Sequence, residues 1–222
     1  MGYRYETHMH TAEVSACAVK FAAQQAVVYK DRGYSGIIIT DHFVNGYTTC
    51  PKDLPWDRKM EFFVTGYNEA KIMGDRIGLD VFFGWEYSIH GSDFLTYGLD
   101  LDFLIKNPHM GFLQIEEYSE LIRKNGGFLA QAHPYRDEYY VENPYPVAPH
   151  LIDAVEVYNV MDSSDTNNKA QEFADENNLP VQAGTDDHGR GNLRYSGIIL
   201  ENKAESIYDI IDAIKTKNVR LM

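Results

Sequence analysis

The sequence predicts an α/β fold, a parallel barrel with its functional residues gathered at one rim, on three observations. Apolar strand-like runs alternate with helix-like segments along the whole chain. The strand-like runs finish in His, Asp or Glu, as in a parallel barrel, which assembles its site from the C-terminal ends of several strands. Two pairs, His8 with His10 and Asp186 with His188, stand two residues apart, so in extended chain each pair projects to one face. Imidazole and carboxylate in one pocket suit zinc, iron or manganese, and metal-assisted hydrolysis is the chemistry such a cluster supports.

The first strand spans Tyr3 to Thr7, and helical periodicity over Val14 to Arg32, with Val19, Ala22, Ala23, Ala26 and Val27 on one stripe, ends at Gly33. GYSGIIITDH reads as a continuous apolar strand ending in polar residues. A loop marked by Asn45-Gly46, Pro51 and Pro55 leads to a helix from about Lys59 to Ile77. The strand DVFFGWEYSI passes through Gly91-Ser92 into a second strand, DFLTYGLD, and a helix near Leu113 to Lys124 precedes GGFLAQAHP. Residues Arg136 to Pro149 are rich in Tyr and Pro and aperiodic, too long for a plain connection, and suggest a cover over a site. DAVEVYN, a helix over Asn167 to Asn177, PVQAGTD, SGIILE, a helix over Ala204 to Lys217 and a short strand at Val219 to Met222 follow.

At 222 residues and 44% hydrophobic composition the chain can bury a full core, and the absence of a linker-like segment predicts one domain over 1–222. A formal net charge of -13 opposes binding to duplex nucleic acid, whose affinity comes from many Lys and Arg contacts. Bound divalent cations would offset part of that charge locally, so a small anionic substrate stays compatible with an acidic chain. Cys17 and Cys50 form no CxxC pattern, MGYRYETHMH has no apolar signal core, and no run of about 18 apolar residues occurs; a cytoplasmic protein without a membrane span is expected.

The rim positions, in order, are His8, His10, Asp41, His42, Glu86, Asp93, His133, Glu156, Asp186 and His188, which include five of the eight histidines. ETHMHT, the strand end ITDH, the GWE of 84–86, the AHP of 132–134 and the TDDH of 185–188 resemble, in order and spacing, the motifs of the PHP (polymerase and histidinol phosphatase) superfamily. The resemblance spans nearly the whole chain. It implies a distorted (β/α)7 barrel with the metal site at the C-terminal rim, and a phosphoesterase using two or three divalent transition metals, Zn, Mn or Fe. A metal-bridged hydroxide would attack phosphorus in a small phosphorylated metabolite or nucleotide.

Carried over, the resemblance places the first metal on His8, His10, Glu86 and Asp186, with Glu86 bridging to a second on His133 and Asp93. Many relatives carry His where this chain has Asp93, and the carboxylate shifts preference toward harder metals. The third metal would use His42, His188 and a residue shortly after the HxH pair; relatives often supply Asp in HTxxSDG, whereas HTAEVSAC offers Glu13 as its nearest carboxylate. Asp186, His188 and Glu86 are the expected catalytic residues. Asp41 is expected to orient a histidine by hydrogen bonding, and Cys17 to lie on a helix face in the core, since nothing basic flanks it in sequence.

Arg136, three residues past His133, and Arg190 and Arg194, just past His188, are candidate phosphate donors; Tyr135, Tyr139, Tyr140 and Tyr145 could stack on a ring or pack as a lid. Three rival readings remain, one of them a regulatory phosphoesterase domain whose partner chain supplies specificity, for which this sequence offers no supporting extra domain. An amidohydrolase-type metal-dependent hydrolase also begins with HxH but usually carries a bridging Lys on a middle strand, and no strand here ends in Lys. A non-catalytic metal-binding module would explain the altered positions at Asp93 and Glu13.

Overall fold

The protein is described here by a computed structural model covering residues 2–139, 141–191 and 195–222. Its strands are β1 (Tyr3–Glu6), β2 (Gly36–Ile39), β3 (Asp80–Ile89), β4 (Ser92–Tyr97), β5 (Phe128–Gln131), β6 (Ala154–Asn159), β7 (Val181–Gly184), β8 (Ile198–Leu200) and β9 (Arg220–Leu221). The helices are α1 (Ala22–Asp31), α2 (Trp56–Phe63), α3 (Thr65–Ile77), α4 (Leu101–Lys106), α5 (Ile115–Lys124), α6 (Ser164–Glu176) and α7 (Ile207–Lys215). One sheet holds all nine strands, in the order β7-β6-β5-β4-β3-β2-β1-β8-β9.

The sheet curls until its β7 end meets the chain just beyond β1. Asp186 N–H donates to the His8 carbonyl at 2.8 Å, His10 N–H donates to the Asp187 carbonyl at 3.0 Å, and Met9 pairs with Asp187 in parallel. Strands β1 to β7 are therefore the staves of a nearly closed barrel, while β8 and β9 extend antiparallel from the opening half of β1. Within the barrel β4 alone runs antiparallel, pairing so with both β3 and β5. The β3–β4 step is thus a hairpin through His90 and Gly91 rather than a strand–helix–strand unit, and it brings Asp93, at the start of β4, to the rim where the other strands end.

The local sequence explains most elements. Gly36, Ile37, Ile38 and Ile39 are all buried, as expected of a parallel strand covered on both faces. Helix α5 buries Tyr118, Ser119 and Ile122, carries Glu116 and Glu117 in its first turn, and ends in Arg123 and Lys124, matching side-chain charge to the helix dipole. Helix α7 buries Ile210, Ile211 and Ile214 on one stripe. Helix α4 was not apparent in the periodicity because six residues hold under two turns; its signal is Asp100, whose carboxylate caps Phe103 N–H at 2.9 Å.

The helix expected over 14–32 forms only from Ala22. Upstream, the backbone groups of 15–19 bond elsewhere: Ser15 N–H to Thr11, Ala16 N–H to the Tyr47 carbonyl and Val19 N–H to the His188 carbonyl. Residues 12–20 consequently become a loop against the rim, and this change relocates Cys17. The segment expected as one helix over 59–77 is two, α2 and α3, separated at Val64.

Below the rim the barrel interior is polar, and buried side chains there bond to backbone and to one another. Tyr97 OH donates to the Thr7 carbonyl at 2.7 Å, Gln182 donates to Tyr97 OH at 3.0 Å, and Glu6 accepts from the backbone N–H of His8 and Thr185. Burial pushes the Glu6 carboxyl up to about 8, against the pull of those two donors, so it is largely protonated at neutral pH. Gly184 closes β7 where no side chain fits: a Cβ there would stand 2.5 Å from both the His8 Cβ and a Glu156 oxygen. Among the described residues no helix is long and apolar enough to cross a membrane.

Candidate metal centre

Four side chains from three places in the chain converge at the rim. The His8 Nε2 atom lies 3.3 Å from His10 Nε2, 3.1 Å from Glu86 Oε1 and 3.4 Å from Asp186 Oδ1. His10 Nε2 lies 3.6 Å from Glu86 Oε2 and 3.2 Å from Asp186 Oδ1. Four donors about 2.1 Å from one ion at tetrahedral angles stand about 3.4 Å apart, so these five separations are close to those a shared zinc-sized ion requires. The residues are buried, His8 and His10 completely.

Hydrogen bonds around the histidines fix which nitrogen each presents. Ser15 Oγ donates to Asp41 at 2.7 Å and lies 3.0 Å from His10 Nδ1, so the network assigns the His10 proton to Nδ1 and leaves Nε2 with the free lone pair. Asp41, also held by Thr11 N–H and Oγ1 at 2.6 Å each, acts on His10 through this serine. Glu156 Oε1 takes His8 Nδ1 at 2.9 Å, and its other oxygen accepts from His133 N–H at 3.0 Å and Asn159 Nδ2 at 2.9 Å. His188 Nδ1 donates to the Asp186 carbonyl at 2.8 Å. Three imidazoles therefore direct Nε2 lone pairs inward.

The electrostatics agree with a cation site. Burial alone would lower the His8 pKa, yet Glu156, Asp186 and Glu86 overcome it and hold the imidazole well above its ordinary value, which shows that positive charge is stabilised at that point. For Asp186, burial pushes upward but His8 and Arg136 hold the carboxyl well below the usual range. His10 goes the other way, driven well down by burial and by neighbouring His188 and His42, and stays neutral as a ligand must.

Two further groups share these residues. Glu86, Asp93 and His133 form one, with Glu86 Oε1 at 3.2 Å and Asp93 Oδ2 at 3.8 Å from His133 Nε2. The other brings together His10, His42 and His188, with the His10 ring 4.3 Å from that of His42 and 4.2 Å from that of His188. Glu86 touches both outer groups: it belongs to the first, and its Oε2 is paired with His42 Nδ1 of the other at 2.6 Å. Two ligand-bearing residues adopt the left-handed backbone region, Asp186 with φ 51° and His133 with φ 29°, a cost borne where side-chain direction is tightly prescribed.

No protein-family model and no curated protein matches this chain. Solved structures do. A two-domain protein from Bacteroides vulgatus containing a predicted PHP-like metal-dependent phosphoesterase superposes over 100% of this chain with a TM-score of 0.72 at 14% identity. The chain shares the barrel fold of that neighbour. It spans 65% of that two-domain neighbour's length. A Bifidobacterium adolescentis protein predicted to be a metal-dependent phosphoesterase superposes over 98% of this chain and 97% of its own, with a TM-score of 0.59 and 14% identity. An amidohydrolase from Chromobacterium violaceum, with bound sulfate and no metal, matches over the same shares with a TM-score of 0.59 at 13% identity.

On this barrel the residues picked from sequence divide into those brought together and those kept apart. His8, His10, His42, Glu86, Asp93, His133, Asp186 and His188 meet at the rim. Glu13 does not: both its carboxylate oxygens accept Ala22 N–H at 3.0 Å, at the start of α1. Arg136 is less free than a surface clamp, donating from Nε to Asp162 at 2.7 Å and from Nη1 to Asp186 at 2.8 Å. Arg190 bonds through Nε to the Cys17 carbonyl at 2.9 Å, and Arg194 and Tyr140 lie outside the described residues.

Cys17 is the residue that sequence reasoning misplaced. It lies on the loop against the rim, 3.2 Å from His42 Nε2, and lines the same cavity as the cluster. Burial raises its thiol pKa, but hydrogen bonds with His188 and His42 prevail and bring it to about 7. Its basic neighbours are distant in sequence. The available signal was its type, a metal-binding side chain seven positions after His10.

Proposed function

We propose that this protein is a metal-dependent phosphoesterase acting on a small phosphorylated metabolite or nucleotide. The observation that carries the reading is the set of five donor separations of 3.1 to 3.6 Å among His8, His10, Glu86 and Asp186, with Glu86 shared with the Asp93 and His133 group and 2.6 Å from His42 of the other. His8, His10, Glu86 and Asp186 would hold one ion, Glu86, Asp93 and His133 a second, and His42 and His188 a third. Bound there, divalent metals supply an activated water and neutralise charge on the phosphoryl oxygens. Glu86 would be the carboxylate common to two of the sites, and among the described rim residues named here there is no lysine, which favours phosphoester over amidohydrolase chemistry despite the fold shared with an amidohydrolase.

The chain's own residues would recognise and orient the substrate. The cluster opens into a cavity of about 660 Å³, within the size range of small-ligand sites, with Tyr47 and Tyr139 among its lining residues. Arg136 also lines it; the two bonds to Asp162 and Asp186 brace the guanidinium while Nη2 has no partner. The Arg136 side chain would supply the positive charge that meets a phosphoryl oxygen in this cavity. The acidic surface disfavours duplex nucleic acid as substrate.

The test is a panel of phosphomonoesters and phosphodiesters, including p-nitrophenyl phosphate and its bis-ester, run beside deacetylation and ring-opening substrates with manganese, zinc or iron supplied. Metal-dependent phosphoester hydrolysis is expected; turnover confined to the amide panel would move the protein to the amidohydrolase class. In the same assay, Arg136→Ala should lower kcat/KM roughly 10- to 1000-fold, the scale of losing a charge-assisted hydrogen bond and some orientation. At saturating metal the defect should persist in KM, and Arg136→Lys should restore only part of it, since lysine keeps the charge without the fork. Complete recovery at saturating metal would reduce Arg136 to a brace for Asp186.

A further inference from the structure

The third group of donors is incomplete as imidazoles alone. His10 has Nδ1 occupied by Ser15, and its single free nitrogen already stands 3.2 to 3.6 Å from the Asp186, Glu86 and His8 donors. One lone pair binds one ion, so with His10 committed there, His42 and His188 leave room for another protein donor. Glu13, the carboxylate nearest in sequence, is turned to α1. Cys17 is half-buried, with Sγ 3.2 Å from His42 Nε2. Its loop is tied to both histidine-bearing segments: Ala16 N–H donates to the Tyr47 carbonyl and Val19 N–H to the His188 carbonyl, each at 2.9 Å. Glu86, a residue 1% exposed, sets its Oε2 2.6 Å from Nδ1 of the same His42, the ring nitrogen that does not face Cys17.

We propose that Cys17 is a thiolate ligand of a metal held with His42 and His188. The inference rests on the metal-centre reading above and adds a chemical preference to it. A sulfur donor favours zinc, iron(II) or cobalt(II) over manganese or magnesium, whereas Asp93 in the second group favours harder ions. The rim therefore carries two positions of different softness.

Cobalt(II) gives a readout independent of turnover, because a thiolate ligand produces a sulfur-to-cobalt charge-transfer absorption in the near ultraviolet that imidazole and carboxylate do not. The protein loaded to three cobalt equivalents should show this absorption. Cys17→Ser should lose it together with one equivalent of bound metal, Cys17→Asp should lose the absorption while keeping the metal, and Cys50→Ala should keep both. Cys50 serves as the control because its Sγ lies near the Pro51 and Lys59 carbonyls, away from the cluster. Circular dichroism of each variant reports folding, and protection of Cys17 from iodoacetamide on loading the unaltered protein repeats the test without mutation. Two bound equivalents with no charge-transfer absorption and an alkylatable Cys17 would overturn the proposal and leave the two-metal hydrolase intact. Failure to bind any cobalt would overturn both.

Discussion

Asp186→Asn is expected to reduce phosphoester turnover by at least roughly 1000-fold, about 4 kcal/mol of transition-state stabilisation. Its Oδ1 lies within 3.2 to 3.4 Å of His8, His10 and His188, while Oδ2 accepts from Arg136. Asparagine keeps the shape and removes the charge. One face of the amide must then set an N–H₂ group against either the guanidinium or the inward-facing lone pairs, so it weakens the metal position and the Arg136 brace together. Kinetics measured across a metal titration check this. Activity within a few-fold of the unaltered protein at all metal concentrations would mean that Asp186 holds Arg136 and takes no part in the metal centre.

Glu86→Gln should have a comparable effect for a different reason. Its carboxylate lies 3.1 Å from His8, 3.6 Å from His10, 2.6 Å from His42 and 3.2 Å from His133, so it touches a member of each donor group at the rim. Burial pushes its pKa up, but His42 and His8 hold it well below the usual carboxylate range. Neutralising it should remove more than one metal equivalent. The variant can be separated from simple misfolding by thermal unfolding: a metal at 100 times its Kd stabilises the folded state by about 2.7 kcal/mol. The unaltered protein should therefore gain melting temperature on metal addition and Glu86→Gln should gain little. An equal gain in both would remove Glu86 from the ligand set.

Much of this was legible because it depends on local pattern. Strand ends such as ITDH and AHP mark the rim through a change from apolar to polar residues, and the seven staves, with their order, follow the resemblance carried by five short motifs. The antiparallel β4 was anticipated only as a second strand after Gly91-Ser92; its direction emerges from pairing with β3 and β5. What escaped the sequence depends on tertiary bonds. Periodicity over 14–32 could not show that residues 15–19 bond to Thr11, Tyr47 and His188 instead of extending the helix. That loop removes Glu13 from the site and admits Cys17. Likewise, Arg136 read in sequence as a free cation because its partners, Asp162 and Asp186, lie 26 and 50 residues away.

Metal content is the most direct measure of the central claim, that the rim residues form a multinuclear centre. Protein purified without chelator, or reconstituted with manganese, iron or zinc and freed of loose metal, should carry at least two transition-metal equivalents per chain by elemental analysis, and the double substitution His8→Ala with His10→Ala should lower that number. Fewer than one equivalent after reconstitution with all three metals would contradict the account.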